Sequence, residues 1–418
     1  MKVLVLTTTF ARRKKDVIPS FIDDLSKSLQ KKGVEVIVVA PHHIGAKRNE
    51  SMDGMKIYRF PYFFPAKYQK LAYGGGIPSN LKRSNLAKIQ VPLFFLSKLY
   101  YTYKVVRREK IDIIHSHWIV PSGLAGAVCN RFLKVRHILT VHAAGLLFLK
   151  RLPFREKITY FILRHCDKIT VVSSYIYREL LKLIPKKYIN DIKNKTEIIS
   201  MGIDVSLFRA DFDKDELKRK YQVNSKDTLL FIGRLVEKKG VFYLIEAMKK
   251  IVSENSDTEL IVCGDGPLRE ELEVSVKRNN LENFVRFVGY VNGIKKREYL
   301  FLSEILIVPS IVTESGDTEG LPVVILEGLA AGIPIIASNV GGISDVIKHN
   351  ENGFLVKEKN PKGIAEKVLI LLRDKELQHR FTQNALVMAE QYDWHTIGDR
   401  FYQVYAAVLG LISKDNER

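Results

Sequence analysis

The sequence predicts an α/β protein made of two doubly wound, parallel-sheet domains. Three observations carry that expectation. Short Val/Ile-rich runs alternate with helix-length amphipathic segments, the alternation runs twice, and glycine-bearing turns follow the apolar runs of the second set. Runs that are apolar throughout, rather than at every second residue, suit strands covered on both faces.

The first set reads KVLVLTT, VEVIVVAP, IDIIHSH, HILTVH, KITVVS and TEIISMG; the second begins near residue 228 with TLLFIGR, ELIVCGDG, VRFVGY, ILIVPS and PIIAS. Stretches such as residues 241–251 lie between them with the length of a helix. The boundary falls at SMGIDVSLF and divides residues 1–203 from 204–391. The segment YDWHTIGDRFYQVYAAVLGLI, within 392–418, has helical apolar spacing and would return the chain to the first domain. Asn360-Pro361 reads as an N-cap followed by proline at the first helical position, and Gly33 as a stop before VEVIVVA.

A chain of 418 residues, 46% hydrophobic and 27% charged, is long enough for two cores. MKVLVLTTTF is apolar for only about six residues before ARRKKD, and VPLFFLSKLYYTYKVV is broken by Lys98 and Lys104, so neither a signal peptide nor a membrane span is expected. Cys129, Cys166 and Cys263 are far apart and form no CxxC pair, so neither a disulfide framework nor a zinc site is indicated and a reducing cytosol fits best. A cytoplasmic protein follows, at most peripheral on the cytoplasmic face of a membrane.

Charge is lopsided. Through residue 205 there are 37 Lys and Arg against 14 Asp and Glu, and 29 against 32 in the remainder. The excess in the first domain is either a set of solvated faces or the footprint of a polyanion, an anionic membrane surface or nucleic acid. No nucleic-acid-binding module accompanies it, so no nucleic acid is expected. Aromatics and cations interleave between residues 58 and 110, in YRFPYFFPAKYQKLAYGGGIPSNLKRSNLAKIQ and FFLSKLYYTYKVVRREK. That stretch reads either as an interfacial patch or as a core helix with an ordered loop.

In the second domain, turns after apolar runs are expected at the carboxyl ends of strands, where doubly wound folds bind ligands. Their glycines, among them Gly264 and Gly266, suggest a phosphate-bearing ligand. In TESGDTEGLPVVILEGLAAGIPIIAS, residues 313–338, Glu319 and Glu327 stand seven residues apart around a Gly-Leu-Pro turn. A helix from about residue 320 would put them roughly 12 Å apart, the reach from a transferred sugar to the ribose of its nucleotide. The free amides of Gly320 and Leu321 would then favour a diphosphate between them. A departing diphosphate also needs cations, and Arg234 and Lys239 in GRLVEKKG supply a fork of donors and a compact charge.

GRLVEKKG, GDGPLREEL, VRFVGYV, ILIVPS, EGLPVVILEGLAAGIPIIASNVGGISDVI and NGFLV, in this order and spacing, resemble glycosyltransferase family 4, the retaining nucleotide-sugar enzymes with the GT-B fold. The resemblance covers most of the second domain. It implies that Arg234 and Lys239 bind the donor diphosphate, that Glu327 holds the ribose hydroxyls and that Glu319 lies beside the donor sugar. Gly320, Leu321 and Pro322 would meet sugar and phosphate, Tyr290 and Val291 would grip the base, and Gly266 belongs with the same donor set. No cofactor and no divalent metal are expected, in keeping with the lack of a DxD-type motif near the donor residues.

The first domain resembles the family through IIHSHWIVPSGLAG and LTVHAAG. His142 matches the histidine that faces the donor sugar. His117 matches a position in an HxHW pattern of polysaccharide-assembly members, with a structural or an acceptor-side role. His115 and His117 share one strand face, but a third ligand for a metal is missing. The loop after the first strand departs from the common Gly-Gly pattern. It is longer and basic, so Arg12, Arg13, Lys14 and Lys15 either meet an acceptor phosphate or are solvated.

The implied activity is transfer of a hexose-type unit from a nucleoside diphosphate sugar to a hydroxyl of a glycan or lipid-linked acceptor. Glu319, His142, Arg234 and Lys239 form the implied catalytic set. Two rivals stay open. One is a catalytically silent sugar-nucleotide or glycan-binding part of a membrane assembly complex, which would have lost Arg234, Lys239 or a glutamate. The other is an epimerase or phosphorylase of the same fold.

Overall fold

A computed structural model describes residues 1–13, 16, 21–74, 76–150, 152–209 and 212–412. Lys14 and Lys15 lie outside the described residues. Contacts divide the chain into Met1–Met201 with Trp394–Arg418, and Gly202–Asp393. The sequence placed that boundary at 203/204; the contacts place it at 201/202.

The first unit runs β1 (Lys2–Leu6), α1 (Phe21–Gln30), β2 (Glu35–Pro41), β3 (Asn49–Met52), β4 (Met55–Phe60), α2 (Ile77–Arg83), α3 (Asn85–Glu109), β5 (Ile113–His117), α4 (Leu124–Leu133), β6 (Arg136–Val141), α5 (Ala143–Leu149), α6 (Arg155–Arg164), β7 (Lys168–Val171), α7 (Ser174–Leu181), α8 (Ile189–Asn194) and β8 (Thr196–Ile198). Its sheet has the order β3-β4-β2-β1-β5-β6-β7-β8. All neighbours pair parallel except β3 and β4. That hairpin was not anticipated, although its Asp53-Gly54 turn, with both residues at positive φ, is a common two-residue hairpin signal.

The second unit runs α9 (Lys214–Lys220), β9 (Asp227–Ile232), α10 (Val241–Glu254), β10 (Thr258–Cys263), α11 (Arg269–Arg278), β11 (Val285–Gly289), α12 (Gly293–Leu302), β12 (Ile305–Val308), α13 (Val323–Ala330), β13 (Ile335–Ser338), α14 (Ile343–Val346), β14 (Gly353–Val356), α15 (Pro361–Arg373) and α16 (Lys375–Glu390). Its parallel sheet has the order β11-β10-β9-β12-β13-β14. Strand order reverses between β9 and β12, and connections leave to opposite faces there, which opens a crevice at their carboxyl ends.

Burial follows the two-sided logic of parallel sheets. Val3 and Val5 enter one core while Leu4 and Leu6 enter another. Likewise Leu229 and Phe231 face one side of the second sheet and Leu230 the other. Side chains at alternate strand positions point to opposite faces, so each apolar run fills two cores at once. Helix ends follow local chemistry: Ser84, Ser173, Asp213, Asn360 and Asp374 accept N-terminal amide hydrogens of α3, α7, α9, α15 and α16. The last helix, α17 (Trp394–Val408), packs on the first unit through Ile397, Phe401, Val404 and Tyr405. Ser28 Oγ donates to Trp394 O at 2.6 Å, and Lys32 Nζ lies 2.5 Å from Asp399 Oδ1.

α3 packs by an unusual face. Gln90, Lys98 and Thr102 point inward with Phe94, and all are fully or almost fully buried. Lys98 Nζ donates to Thr7 O at 2.9 Å and Ser122 Oγ at 2.7 Å, between the ends of β1 and β5. Among the described residues no carboxylate pairs with it, and burial drives its pKa well below that of a free lysine, which favours the uncharged amine. Lys98→Ala is expected to cost about 2–4 kcal/mol, from the cavity and the two lost bonds. Lys98→Met, which keeps most of the volume, should cost clearly less. Urea unfolding of both variants checks this; equal losses would show that the amine's two hydrogen bonds, not the packing of its stem, matter.

Candidate functional site

In the second unit the site is built at the β9/β12 crevice by loops that touch backbone to backbone. After β9 the chain turns through residues 233–240. Gly240 takes φ +66°, and a Cβ there would lie 1.9 Å from Pro309 O, just past β12. A Cβ on Gly264, after β10, would lie 1.8 Å from Gly233 O. A Cβ on Gly341, after β13, would lie 2.0 Å from Glu319 O. Only glycine allows these approaches, and they hold Arg234, Lys239 and Glu319 on a connected set of loops.

Glu319 is the chemical centre of that set. Its Oε1 is shielded from solvent and accepts no hydrogen bond among the described residues. Lys239 Nζ stands 3.2 Å away and Lys238 Nζ 3.8 Å, both close enough for charge attraction. Lys238 also reaches Asp317 Oδ1 at 3.4 Å. A carboxylate oxygen buried beside cations but without a hydrogen bond is an acceptor ready for a hydroxyl donor. Arg234 is exposed and makes no ion pair among the described residues. Ser310 Oγ, wholly buried next to the end of β12, also lacks a partner among the described residues.

One expectation is corrected here. Residues 320 and 321 are not helical: α13 begins at Val323, with Pro322 as an extended N-cap at φ −68° and ψ 122°. A residue before proline is driven out of the helical region, so Leu321 cannot start the helix. The uncapped amides therefore belong to Val323 and Val324 rather than Gly320 and Leu321, and the separation of Glu319 from Glu327 cannot be taken from helical rise. Glu327, on α13, forms an ion pair with Lys296 of α12. Tyr290 is exposed after β11, whereas Val291 is buried in the core. Gly266 packs on the β9 loop, where a Cβ would lie 2.3 Å from Leu235 O.

In the first unit the structure brings His117 and His142 together. His117 ends β5 and His142 follows β6, and His117 Nδ1 lies 3.1 Å from His142 Nε2. One nitrogen must donate. His117 Nε2 is buried and meets no partner among the described residues. Were it the protonated nitrogen, an N–H would be orphaned, which costs more than a bare lone pair. His117 therefore donates from Nδ1, His142 accepts at Nε2, and the hydrogen of His142 sits on Nδ1. His142 also packs against Phe21, at 5.3 Å between ring centres, and Trp118, at 5.0 Å. Trp118 holds φ +67°, a strained value for a bulky residue, between His117 and the turn Ile119–Gly123.

His115 lies beneath, bonded to Tyr405 of α17 and to Thr140, each at 2.7 Å. Arg12 is engaged by Asp16 through a two-pronged pair at 2.7 and 2.8 Å and covers the Tyr73 ring, while Arg13 is exposed. Among the described residues, no group of three or more His, Cys, Asp or Glu side chains is placed to hold a metal ion.

Comparison with known proteins matches both units. The profile of Glycosyltransferase Family 4 matches residues 18–207, and that of glycosyl transferases group 1 matches residues 213–388. The chain belongs to the group 1, family 4 glycosyltransferases. It is 28% identical over 327 residues to the N-acetyl-alpha-D-glucosaminyl L-malate synthase of Bacillus anthracis, across 77% of this chain and 81% of that one. It is also 28% identical over 290 residues to the UDP-Gal:alpha-D-GlcNAc-diphosphoundecaprenol alpha-1,3-galactosyltransferase of Escherichia coli, across 68% of this chain and 72% of that one. The crystal structure of Anabaena HepE in complex with UDP superposes with a TM-score of 0.71, covering 97% of this chain and all of that one at 16% identity. That likeness is one of fold, and the fold is GT-B.

Within this glycosyltransferase the sequence missed Lys238, Lys296, Ser310, Gly341 and Trp118. Lys296, in GIKKREYL, looks like any helix-surface cation until the fold sets it against Glu327 of α13. Gly341 carried a readable signal in the paired glycines of NVGGIS.

Burial holds the transferase's inner histidines neutral. The pKa of His115 and of His142 is pushed down to about 3, that of His137 to about 4, and His117 falls well below its usual value. Below about pH 6.5 the unfolded chain takes up protons that these rings refuse in the folded state, so stability falls as pH drops from about 6.5 toward about 4. Each such histidine should cost about 2 kcal/mol between about pH 7 and about pH 5. The acid-induced drop in Tm should be smaller in His137→Gln than in the wild type; identical drops would contradict the neutral, buried assignment.

Proposed function

We propose that this chain transfers a sugar from a nucleoside diphosphate sugar to a hydroxyl of a lipid-linked or surface glycan, with retention of anomeric configuration and without a divalent metal. The observation that carries the reading is the buried, hydrogen-bond-free Glu319 Oε1 flanked by Lys239 and Lys238 at the crevice of the second unit. Two relations support it. The Escherichia coli relative is named for a UDP-Gal donor and a diphosphoundecaprenol-linked acceptor, and the Anabaena structure contains UDP. The three cysteines are buried thiols, which suits a cytoplasmic enzyme.

Arg234 presents an uncommitted fork to the diphosphate, and Lys239 adds a point charge as the bond from sugar to phosphate breaks. The Val323 and Val324 amides at the start of α13 add partial positive charge. Glu327, steadied by Lys296, holds the ribose hydroxyls, and Tyr290 packs on the base. Glu319 accepts from a hydroxyl of the transferred sugar, and its negative charge stabilises the positive charge that builds at the anomeric carbon. In the first unit, His142 offers its Nδ1–H as a donor to a sugar hydroxyl. The acceptor hydroxyl attacks from the face the phosphate leaves, and the departing phosphate oxygen takes its proton. No protein nucleophile is then required.

Thermal shift and hydrolysis assays against UDP-, GDP-, ADP- and CDP-sugars, with and without EDTA, test the donor site. One nucleotide should stabilise the protein regardless of EDTA, and Arg234→Ala should abolish the shift. Glu327→Ala should weaken donor binding by about tenfold, and Lys239→Ala should lower turnover by about a hundredfold. Unchanged kinetics in both variants, or a product of inverted anomeric configuration by NMR, would refute the assignment.

A further inference from the structure

α3 buries its polar side and exposes an apolar one. Ile89, Leu93, Leu96, Tyr100 and Tyr103 are all exposed, with Ile89 at 64% and Leu96 at 60%. Their spacing of four, three, four and three residues makes a single stripe along the helix, about 21 Å long. Between residues 89 and 103 the only charged side chain is Lys98, which points inward and is fully buried. No charge interrupts the stripe.

Cations bracket it. Lys82, Arg83 and Lys88 are exposed at the amino end, and Lys104, Arg107 and Arg108 at the carboxyl end. The one acid of α3, Glu109, is taken by Lys56 and Tyr58 at 2.9 and 2.6 Å. Beside the helix runs the loop from Pro61 to Lys70, tied to it where Ser97 Oγ donates to Pro61 O, Gln90 Nε2 donates to Tyr68 O and Lys70 N donates to Gln90 Oε1. That loop carries Phe64, 85% exposed, and Tyr68, with Lys67 over the Tyr68 ring.

We infer that this ridge, with the Phe64 loop, is a docking surface for an anionic lipid bilayer. Apolar and aromatic side chains would sink to the level of the headgroups while cations at both ends meet lipid phosphates. The stripe is too short to cross a bilayer, and no described helix is long and apolar enough to do so. A second copy of this chain fits poorly, because pairing two such stripes in either direction sets cations against cations. The inference is independent of the proposed reaction, since binding is read without substrate.

The test is sedimentation of the full chain with vesicles of phosphatidylcholine alone and of phosphatidylcholine mixed with phosphatidylglycerol, beside a Leu93→Glu/Leu96→Glu variant. Wild type should bind the anionic vesicles at least about tenfold more tightly than the neutral ones, and the variant should lose about tenfold or more at unchanged Tm. If that variant folds poorly, Leu96→Trp replaces it, and its emission should shift to the blue on anionic vesicles relative to wild type. The inference fails if wild type does not sediment, if the double variant binds equally, if Leu96→Trp shows no shift, or if the ridge instead holds a dimer that the double variant disperses.

Discussion

Backbone contact across the carboxyl edge of the second sheet is the constraint on which the donor-side geometry rests. Gly240 against Pro309 O, Gly264 against Gly233 O and Gly341 against Glu319 O join the loops after β9, β10, β12 and β13 at distances no side chain permits. Without those approaches Lys239 and Glu319 would hang on independent loops, each with its own conformational freedom to lose on binding. With them, the positions of charge are set before any ligand arrives, which is the condition for electrostatic stabilisation to act without reorganisation.

The first unit solves a different problem. It buries His115, His117, His137, His142 and Lys98 in and beside its strands, and satisfies nearly all of them: His115 by Tyr405 and Thr140, His137 by Ser116 and the His165 carbonyl, Lys98 by Thr7 and Ser122. His117 Nε2 is the exception. A polar network at this depth is stable only when each member is neutral and paired, so the one unpaired nitrogen, next to the strained Trp118, marks where the network gives up stability for placement. α17 contributes Tyr405 to this network, so the chain's last helix both covers the core and orients a histidine.

α3 links the two kinds of requirement. Its inward polar residues answer the needs of strand ends, and its outward residues are left apolar. Simple amphipathic logic, polar outside and apolar inside, fails for this helix because Lys98 and Gln90 have internal partners and the outer stripe has none within the described chain.

The sequence by itself determined the class of fold, the twofold alternation and the family, because parallel strands buried on both faces must be apolar throughout and because the glycines at close backbone approaches tolerate no substitute. It pointed to Arg234, Lys239, Glu319 and Glu327 as a charged set through their places after apolar runs and around the Gly-Leu-Pro turn, and through the family's motifs. What only the tertiary structure decided were relations between distant segments. These are the pairing of Glu327 with Lys296, the uncommitted oxygen of Glu319 and the hydrogen bond from His117 to His142. Periodicity reports which face of a segment is apolar, not which segment lies opposite, and Lys98 shows the limit: a lysine that reads as an interruption of an apolar run is, in the folded chain, the residue that run conceals.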